Sequence, residues 1–190
     1  MSTETDPVTG AVTDPLTDAV AVPPSWGEPR SRTVTWYDPM VTAAGAMERS
    51  GLETLEAIRD GVLPPPPISV LVQMGINSVE AGRVEFTCAV DESVYNPIGV
   101  VHGGLVCTLL DTVAGCAVHS TLPHGVGYTS IELKVTFLRA VTRDSGTLTA
   151  VGTVVKPGRR VAFAEGQVLD AAGKLVATAS SSLLVFPLPA

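Results

Sequence analysis

A single carboxylate lies within the most apolar helix that the sequence predicts. Residues 103–118 are mostly small or aliphatic, and Asp111 is the only charged residue among them. An ionised carboxylate that leaves water without partners costs several kcal/mol, or its pKa is forced upward. Catalytic acids often occupy such positions, although acids in structural networks or on a solvated strip of a helix do so too. The pattern therefore indicates Asp111 as a candidate general base or nucleophile.

A histidine and two glycines open the same helix. Free N–H groups and the dipole at a helix N-terminus favour developing negative charge, and a residue without a side chain allows close approach to the backbone. We therefore expect the Gly103 amide to donate to the oxyanion of an acyl-transfer reaction and Gly104 to contact the substrate. His102 is expected to orient or bind the substrate rather than to transfer protons. The alternative is that the glycines only make a tight turn from strand to helix.

Six extended segments flank this helix, two before it and four after it. Turn sequences separate them, and the alternation of Val84, Phe86, Cys88 and Val90 indicates one buried face. An apolar helix must be covered on most sides, which a curved antiparallel sheet wrapped around it achieves. Such an α+β sheet leaves an edge for a partner, so a dimer is expected. The predicted strands are residues 69–78, 83–90, 127–138, 146–156, 160–169 and 175–185.

The chain before the sheet differs in composition. Its first residues are rich in Thr, Pro and Asp without a period, which is typical of a disordered tail. Between Asp38 and Gly61 the apolar spacing predicts one or two short helices, with Ser50 and Glu53 as a capping box for the second. Four consecutive prolines then predict an extended linker into the first strand. The predicted divisions are a tail at 1–33, a helical extension and proline-rich linker at 34–67, and the sheet domain at 68–190.

Composition excludes several functions. The 190 residues carry a formal net charge of −7, which argues against a large basic surface for nucleic acid or an anionic membrane. Three cysteines without CxxC spacing suggest neither a disulfide framework nor a zinc site, and His102, His119 and His124 lack ligand spacing. No signal peptide or membrane span is indicated, so a reducing cytoplasm is the expected location. No metal and no cofactor are expected.

Several motifs occur together over about residues 68–186. They are Asn96, the HGG turn, Asp111 nine positions after the histidine, TSIELKVTFLRA on the following strand, and VVKPGRRVAFAEGQV across a later hairpin. As a set they resemble the hotdog-fold acyl-CoA thioesterases, specifically the group related to phenylacetate-pathway and acyl-CoA thioesterase 13-like enzymes. The resemblance implies the hotdog fold, in which a sheet of about six strands surrounds one central helix. The N-terminal helical extension lies beyond that basic domain.

The resemblance also implies roles for two polar residues. Asn96 matches a side-chain donor that shares the thioester carbonyl with the glycine amide, although Asn before Pro97 also suits a turn. Ser130 matches a hydroxyl that helps Asp111 to orient water, while Thr129 points to the opposite face of the strand. Without the resemblance, Ser130 would be interpreted as an ordinary surface residue.

Gly103 and Asp111 are too far apart to act on one carbon from the same chain. Eight residues of helix separate them, a rise of about 12 Å. Two subunits must therefore share a site, and the resembled family pairs its central helices antiparallel in a dimer. We expect two composite sites per homodimer, with further assembly to a homotetramer.

A basic cluster surrounds a later turn. Lys156, Arg159 and Arg160 flank Pro157 and Gly158 in an otherwise acidic chain, so they are candidates to bind the phosphates of coenzyme A. A solvated hairpin tip is the alternative. If the two arginines begin a strand, they point to opposite faces, and only one contacts the ligand.

The predicted function is hydrolysis of an acyl-CoA thioester, with Asp111 activating water in preference to forming a mixed anhydride. One alternative is a non-catalytic acyl-CoA-binding module, for which the acid in the apolar helix would be an unexplained cost. The other is a dehydratase or hydratase, which would need a histidine paired with an acid at a different spacing. The acyl group stays open. So does the role of the extension, which either caps the acyl tunnel or packs on the outer face of the sheet.

Overall fold

The computed structural model describes residues 23–189. The chain divides into a unit that ends at Thr33 and a second unit that begins at Val34. In the first unit, the described residues form one 3-10 turn, Pro24–Trp26. The predicted tail falls mainly on residues 1–22, which lie outside the described residues. No helix in the described part of the chain is both long and apolar enough to cross a membrane.

One six-stranded antiparallel sheet and one long helix form the centre of the second unit. The helix α4, Gly103–His119, packs against five of the strands. The strand order is β1-β2-β4-β5-β6-β3, so β3 lies at one edge. The predicted fold, a curved sheet around a central helix, is confirmed. The strands are β1 Met74–Glu80, β2 Arg83–Cys88, β3 Val126–Phe137, β4 Leu148–Lys156, β5 Val161–Leu169 and β6 Leu175–Pro187.

Two glycines allow α4 to approach the sheet closely. Gly152 of β4 and Gly166 of β5 are direct partners in the sheet. A Cβ at Gly152 would overlap the carbonyl oxygen of Val113, and one at Gly166 would lie 3.1 Å from a methyl of Leu110. Leu109, Leu110 and Val113 are fully buried there. The pair of glycines thus fixes the position of the helix that carries Asp111.

Two helices lie between Asp38 and Gly61, where one or two were predicted: α1, Pro39–Met47, and α2, Gly51–Arg59. The capping box is present, because Ser50 Oγ accepts from the Glu53 amide and the Glu53 carboxylate accepts from the Ser50 amide. Helix α2 packs against β1 and α4. Its first residue lies so close to α4 that a Cβ at Gly51 would overlap the carbonyl oxygen of His119.

The predicted first strand, residues 69–78, is wrong in its first half. A short helix, α3, occupies Pro67–Leu71, and the strand begins only at Met74. Proline is tolerated at the first helical position because its missing N–H would have no partner there. The run of prolines therefore leads into a helix that spans the predicted boundary between linker and domain. Gln73 makes the change of direction with φ 56°.

The edge strand β3 contains an irregularity in the middle. Its pairing with β6 shifts register between Ser130 and Glu132, which leaves Ile131 without a direct partner. Bulges of this kind redirect side chains and often lie next to active sites. The side chain of Ile131 is exposed. Among the described elements nothing pairs with the outer edge of β3.

Candidate active site

The structure brings Ser130 and Asp111 together. Ser130 Oγ donates a hydrogen bond of 2.7 Å to Asp111 Oδ1. Thr129, its neighbour, is exposed on the other face of β3. The bulge at Ile131 lies beside this pair and points Ser130 toward α4.

Asp111 is less buried in one chain than the sequence suggests. Its side chain opens into a surface cavity of about 450 Å³ that lies between α4 and the edge strand. Water can enter such a cavity, and the carboxylate keeps one oxygen bonded to Ser130. A carboxylate that is oriented by a hydroxyl and reached by water fits a general base. The other lining residues are Cys107, Thr108, Ile131, Glu132 and Leu133.

Tyr128 and Cys116 lie near this pair, His119 lies beside Tyr128, and none of the three was predicted as part of the site. Burial raises the pKa of Tyr128 well above its usual value, with the nearby Cys116 and Asp111 adding to the rise. Burial also raises the pKa of the Cys116 thiol to about 12, so it is protonated at neutral pH. Burial lowers the pKa of His119, whose ring lies 5.3 Å from the ring of Tyr128. The strand period of two could have indicated Tyr128, because it shares a face with Ser130.

One backbone amide of the HGG turn forms a hydrogen bond within the turn. His102 is the N-cap of α4, and its Nδ1 accepts a hydrogen bond of 2.8 Å from the Gly104 amide. The Gly104 amide is therefore not free for a substrate oxygen. The Gly103 amide donates to no acceptor within the described chain. A Cβ at Gly103 would lie 3.1 Å from the ring of Phe137, so only glycine leaves room here without a shift of that ring.

Asn96 forms a turn. Its Oδ1 accepts from the amides of Ile98, at 3.1 Å, and Val100, at 3.3 Å. The turn leads directly toward the HGG segment, where the His102 amide donates to the Val94 carbonyl oxygen. The Asn96 Nδ2 group makes no hydrogen bond to the described residues, so it can still act as a donor. The two interpretations of Asn96 are thus compatible.

Gly103 and Asp111 do not meet within one chain. Both lie on the single continuous helix α4, with eight residues between them and a rise of about 12 Å. The side chain that would activate water and the amide that would stabilise an oxyanion thus point to two separate places. The two candidate groups therefore cannot act on one substrate carbon within a single chain.

The basic hairpin between β4 and β5 lies beside the first residue of β3, at a distance from Asp111. Gly158 and Arg159 line a groove with Val126, the first residue of β3. Ser130 is four residues along the same strand, about 13 Å away. Lys156 and Arg160 are exposed and do not line this groove. Strand β5 begins at Val161, so the two arginines lie in the turn and not in the strand.

No group of three or more possible metal ligands occurs among residues 23–189. All three cysteines are free thiols. Burial raises the pKa of Cys88 to about 11, which makes it an inert core residue.

Comparison with known proteins shows what the central part of the chain is similar to. The family model described as the thioesterase superfamily matches residues 98–177. A candidate esterase of Halobacterium salinarum is 40% identical over 96 residues, which are 46% of this chain and 62% of that protein. The chain therefore spans less than two thirds of that relative. Human acyl-coenzyme A thioesterase 13 is 29% identical over 109 residues, 57% of this chain and 76% of the enzyme.

Solved structures agree with this fold. A phenylacetic acid degradation-related thioesterase candidate from Ralstonia eutropha superposes with a TM-score of 0.63 at 29% identity, over 68% of this chain and 98% of that one. A thioesterase candidate from Streptococcus pneumoniae, solved with coenzyme A, has a TM-score of 0.55 at 25% identity, over 62% and 91%. The region matched by the family model contains the HGG turn, α4 and Ser130. Residues 98–177 therefore match the thioesterase superfamily, and the fold is shared with solved thioesterase candidates.

Proposed function

We propose that this protein hydrolyses acyl-CoA thioesters, with Asp111 as general base. The observation that carries the proposal is the hydrogen bond from Ser130 to Asp111 at a cavity open to water. The similarity to an acyl-coenzyme A thioesterase and to a structure that contains coenzyme A supports the substrate class.

The reaction follows from the groups at the site. A water molecule held by Asp111 and Ser130 adds its oxygen to the thioester carbonyl carbon, and its proton passes to the Asp111 carboxylate. The carbonyl oxygen becomes an oxyanion, which a backbone amide and the Asn96 side-chain amide stabilise. The tetrahedral intermediate then loses the CoA thiolate, which takes the proton back from Asp111. The products are a free acid and CoA.

The oxyanion donor comes from a second copy of the chain. Because Gly103 and Asp111 lie apart on one helix, two α4 helices must run antiparallel for the two groups to meet. The free edge of β3, which has no strand partner among residues 23–189, supports pairing with a second copy along that edge. We therefore propose a homodimer with two composite sites, able to assemble into a homotetramer. His102 holds the HGG turn in shape and does not exchange protons with the substrate.

The groove at Arg159 holds the phosphates of coenzyme A. It lies about 13 Å along β3 from Ser130, and the flexible pantetheine arm can span the gap between thioester and nucleotide. No ion pair engages Lys156, Arg159 or Arg160 within the described chain, so their charge is available to an anion. The three free thiols support a reducing, cytoplasmic location.

The decisive experiment compares two acids in the same cavity. Thiol release from aryl-, short-chain and long-chain acyl-CoA is measured for the wild type, Asp111→Asn and Glu132→Gln. Asp111→Asn removes the general base, so kcat should fall about 10²- to 10⁴-fold. Glu132→Gln, which changes the other carboxylate at the cavity, should stay close to wild type.

Two outcomes would contradict the proposal. Equal losses in both variants would mean that negative charge in the cavity matters and not the position of Asp111. A wild type that binds acyl-CoA without any turnover would favour the second candidate, a non-catalytic acyl-CoA-binding module.

A further inference from the structure

An apolar cavity of about 440 Å³ lies beneath the N-terminal helices. Its roof comes from α1, α2 and the proline segment, through residues such as Ala46, Leu55 and Ile58. Its floor comes from the sheet and α4, through Met74 and Phe86. The roof precedes residue 98, where the match to the family model begins. About half of the residues that line the cavity therefore belong to the N-terminal extension, before residue 68.

The inner end of the cavity adjoins the candidate catalytic pair. Thr112 follows Asp111 in sequence and lines the cavity, together with Cys116 one turn later. Tyr128 also lines it and shares a strand face with Ser130. The charge of Asp111 contributes to the raised pKa values of both Cys116 and Tyr128, which shows that the groups are close. A substrate whose thioester lies at Asp111 can extend into this cavity.

Three polar side chains of the cavity wall are already engaged. Thr42 Oγ1 donates to the Pro64 carbonyl oxygen at 2.7 Å, and Thr54 Oγ1 donates to the Ser50 carbonyl oxygen at 2.9 Å. Arg59 forms an ion pair of 2.8 Å with Asp60, which lies outside the cavity wall.

The remaining ionisable groups of the wall favour a neutral occupant. Burial lowers the pKa of His119, so its ring is neutral at pH 7. The raised pKa values of Cys116 and Tyr128 keep these two groups uncharged as well. No unpaired charge therefore faces the cavity to hold a second carboxylate or a phosphate. A mostly apolar wall, in which the described residues present no unpaired charge, selects an uncharged hydrocarbon.

We propose that this cavity receives the acyl chain of the substrate, and that the extension sets the chain length. The occupant is an uncharged alkyl chain of medium length. A methylene group fills about as much space as a water molecule, about 30 Å³, so the cavity holds roughly a dozen of them. The inference rests on the proposed function, because it takes the thioester to lie at Asp111. It assigns the extension to the acyl tunnel rather than to the outer face of the sheet.

Helix α1 forms the part of the cavity wall that can change position. None of its residues is buried, although its sequence, PMVTAAGAM, is mostly apolar. Within the described chain, two hydrogen bonds join it to residues distant in sequence, from Thr42 to the Pro64 carbonyl oxygen and between His124 Nε2 and the Met47 carbonyl oxygen at 2.8 Å. A wall held by so few contacts can move to admit a chain.

A matched pair of α1 variants tests the proposal. Ala46 lines the cavity, whereas Ala44 lies on the same helix, is exposed and does not line it. We measure kcat/KM for acetyl-, butyryl-, octanoyl-, dodecanoyl- and palmitoyl-CoA. Ala46→Phe should lower the ratio of dodecanoyl to butyryl kcat/KM at least about tenfold, because each buried methylene is worth about fourfold. Ala44→Phe should keep the wild-type ratio. An unchanged ratio in Ala46→Phe, in protein that turns over, would overturn the proposal.

A binding measurement separates this inference from the hydrolase proposal. S-dodecyl-CoA, a thioether that cannot be hydrolysed, is titrated calorimetrically against S-butyl-CoA. The wild type and Ala44→Phe should bind the dodecyl ligand at least about tenfold more tightly, and Ala46→Phe should lose that preference. If this result were obtained with a protein that shows no turnover, the cavity assignment would stand and the proposed function would be wrong. No preference in the wild type would sink the cavity assignment, whatever the turnover.

Discussion

Ser130 and Asp111 form the part of the proposed site that one chain completes by itself. The hydroxyl donates to the carboxylate at 2.7 Å, which leaves the second carboxylate oxygen free for water. A hydroxyl in this position orients the base and does not itself take the proton. Its loss should therefore slow the reaction less than the loss of the carboxylate.

We expect Ser130→Ala to lower kcat about 10- to 100-fold with little change in KM, because the loss concerns the orientation of water and not binding. Ser130→Thr, which keeps the hydroxyl, should recover most of the rate. Thr129→Ala, which changes the exposed neighbour on the other face, is the matched control. Steady-state kinetics on one good acyl-CoA measures all four proteins. If Thr129→Ala costs as much as Ser130→Ala, the strand and not the hydroxyl is responsible.

His119 should make stability depend on pH. The folded protein holds the pKa of His119 below its ordinary value of 6.5, because burial disfavours the charged ring. As pH falls through 6.5, the unfolded chain gains a proton that the folded chain does not, so the free energy of unfolding decreases. The decrease stops once pH passes the folded pKa.

Urea unfolding between pH 8 and pH 5 measures this dependence. His119→Gln and His119→Phe cannot titrate, so both should show a shallower decrease than the wild type. One variant is polar and the other aromatic. A change in pH dependence that both variants share therefore reflects the loss of the titrating group and not a change in packing. Wild-type slopes in both variants would contradict the assignment.

The sequence indicates catalytic residues better than it indicates their contacts. Asp111 is visible as a lone charge in an apolar helix, whereas Ser130 is indicated only by the resemblance to a known family, and the strand period separates it from Thr129. The bond between His102 and the Gly104 amide could not be predicted, since it depends on the rotamer of a capping side chain. The partial exposure of Asp111 was also not visible, because periodicity does not show where an edge strand leaves a gap.

At the scale of elements, the fit of α4 against the sheet decides where Asp111 lies. Gly152 and Gly166 form a gap across β4 and β5 that α4 fills. A methyl group at Gly152 meets backbone, which cannot move aside cheaply. One at Gly166 meets the end of a flexible leucine side chain.

Gly152→Ala should therefore destabilise the protein by about 2 kcal/mol or more, in the range of overpacked cores. Gly166→Ala should cost clearly less, because Leu110 can adjust its rotamer. Urea denaturation of both variants gives the two free energies of unfolding. If Gly166→Ala is the more damaging of the two, α4 does not approach the sheet as described.

Strand β2, in which buried and partly exposed residues alternate clearly, was predicted from the sequence, whereas the short helix α3 was missed. Strand β2 buries Val84, Phe86 and Cys88 in strict alternation. The segment PISVL carries β-branched residues that favour a strand, yet it is the helix α3. A proline at its first helical position and its packing against β1 outweigh that preference.

At the scale of the whole molecule, the separation of Gly103 from Asp111 makes a test of shared sites possible. Gly103→Ala disturbs the oxyanion side, and Asp111→Asn disturbs the base side. Each variant alone should be nearly inactive. In a mixed dimer, one of the two sites combines an intact Gly103 with an intact Asp111.

Random reassociation of equal amounts should thus restore about a quarter of wild-type activity, since half of the dimers are mixed and each has one good site. Activity is measured after the two variants are unfolded together and refolded. The same treatment of each variant alone is the control. Activity that stays at the level of the separate variants would mean that both groups act within one chain, or that no dimer shares its site.

The place of β6 in the sheet has a consequence for protein synthesis. Strand β6 lies between β5 and β3, yet it follows both in chain order. Until β6 has left the ribosome, β3 has no neighbour among the described strands, and Ser130 cannot be held against Asp111. A nascent chain that already contains every residue proposed for catalysis is thus still without an assembled base. Folding of the proposed site must therefore wait for the final pairing.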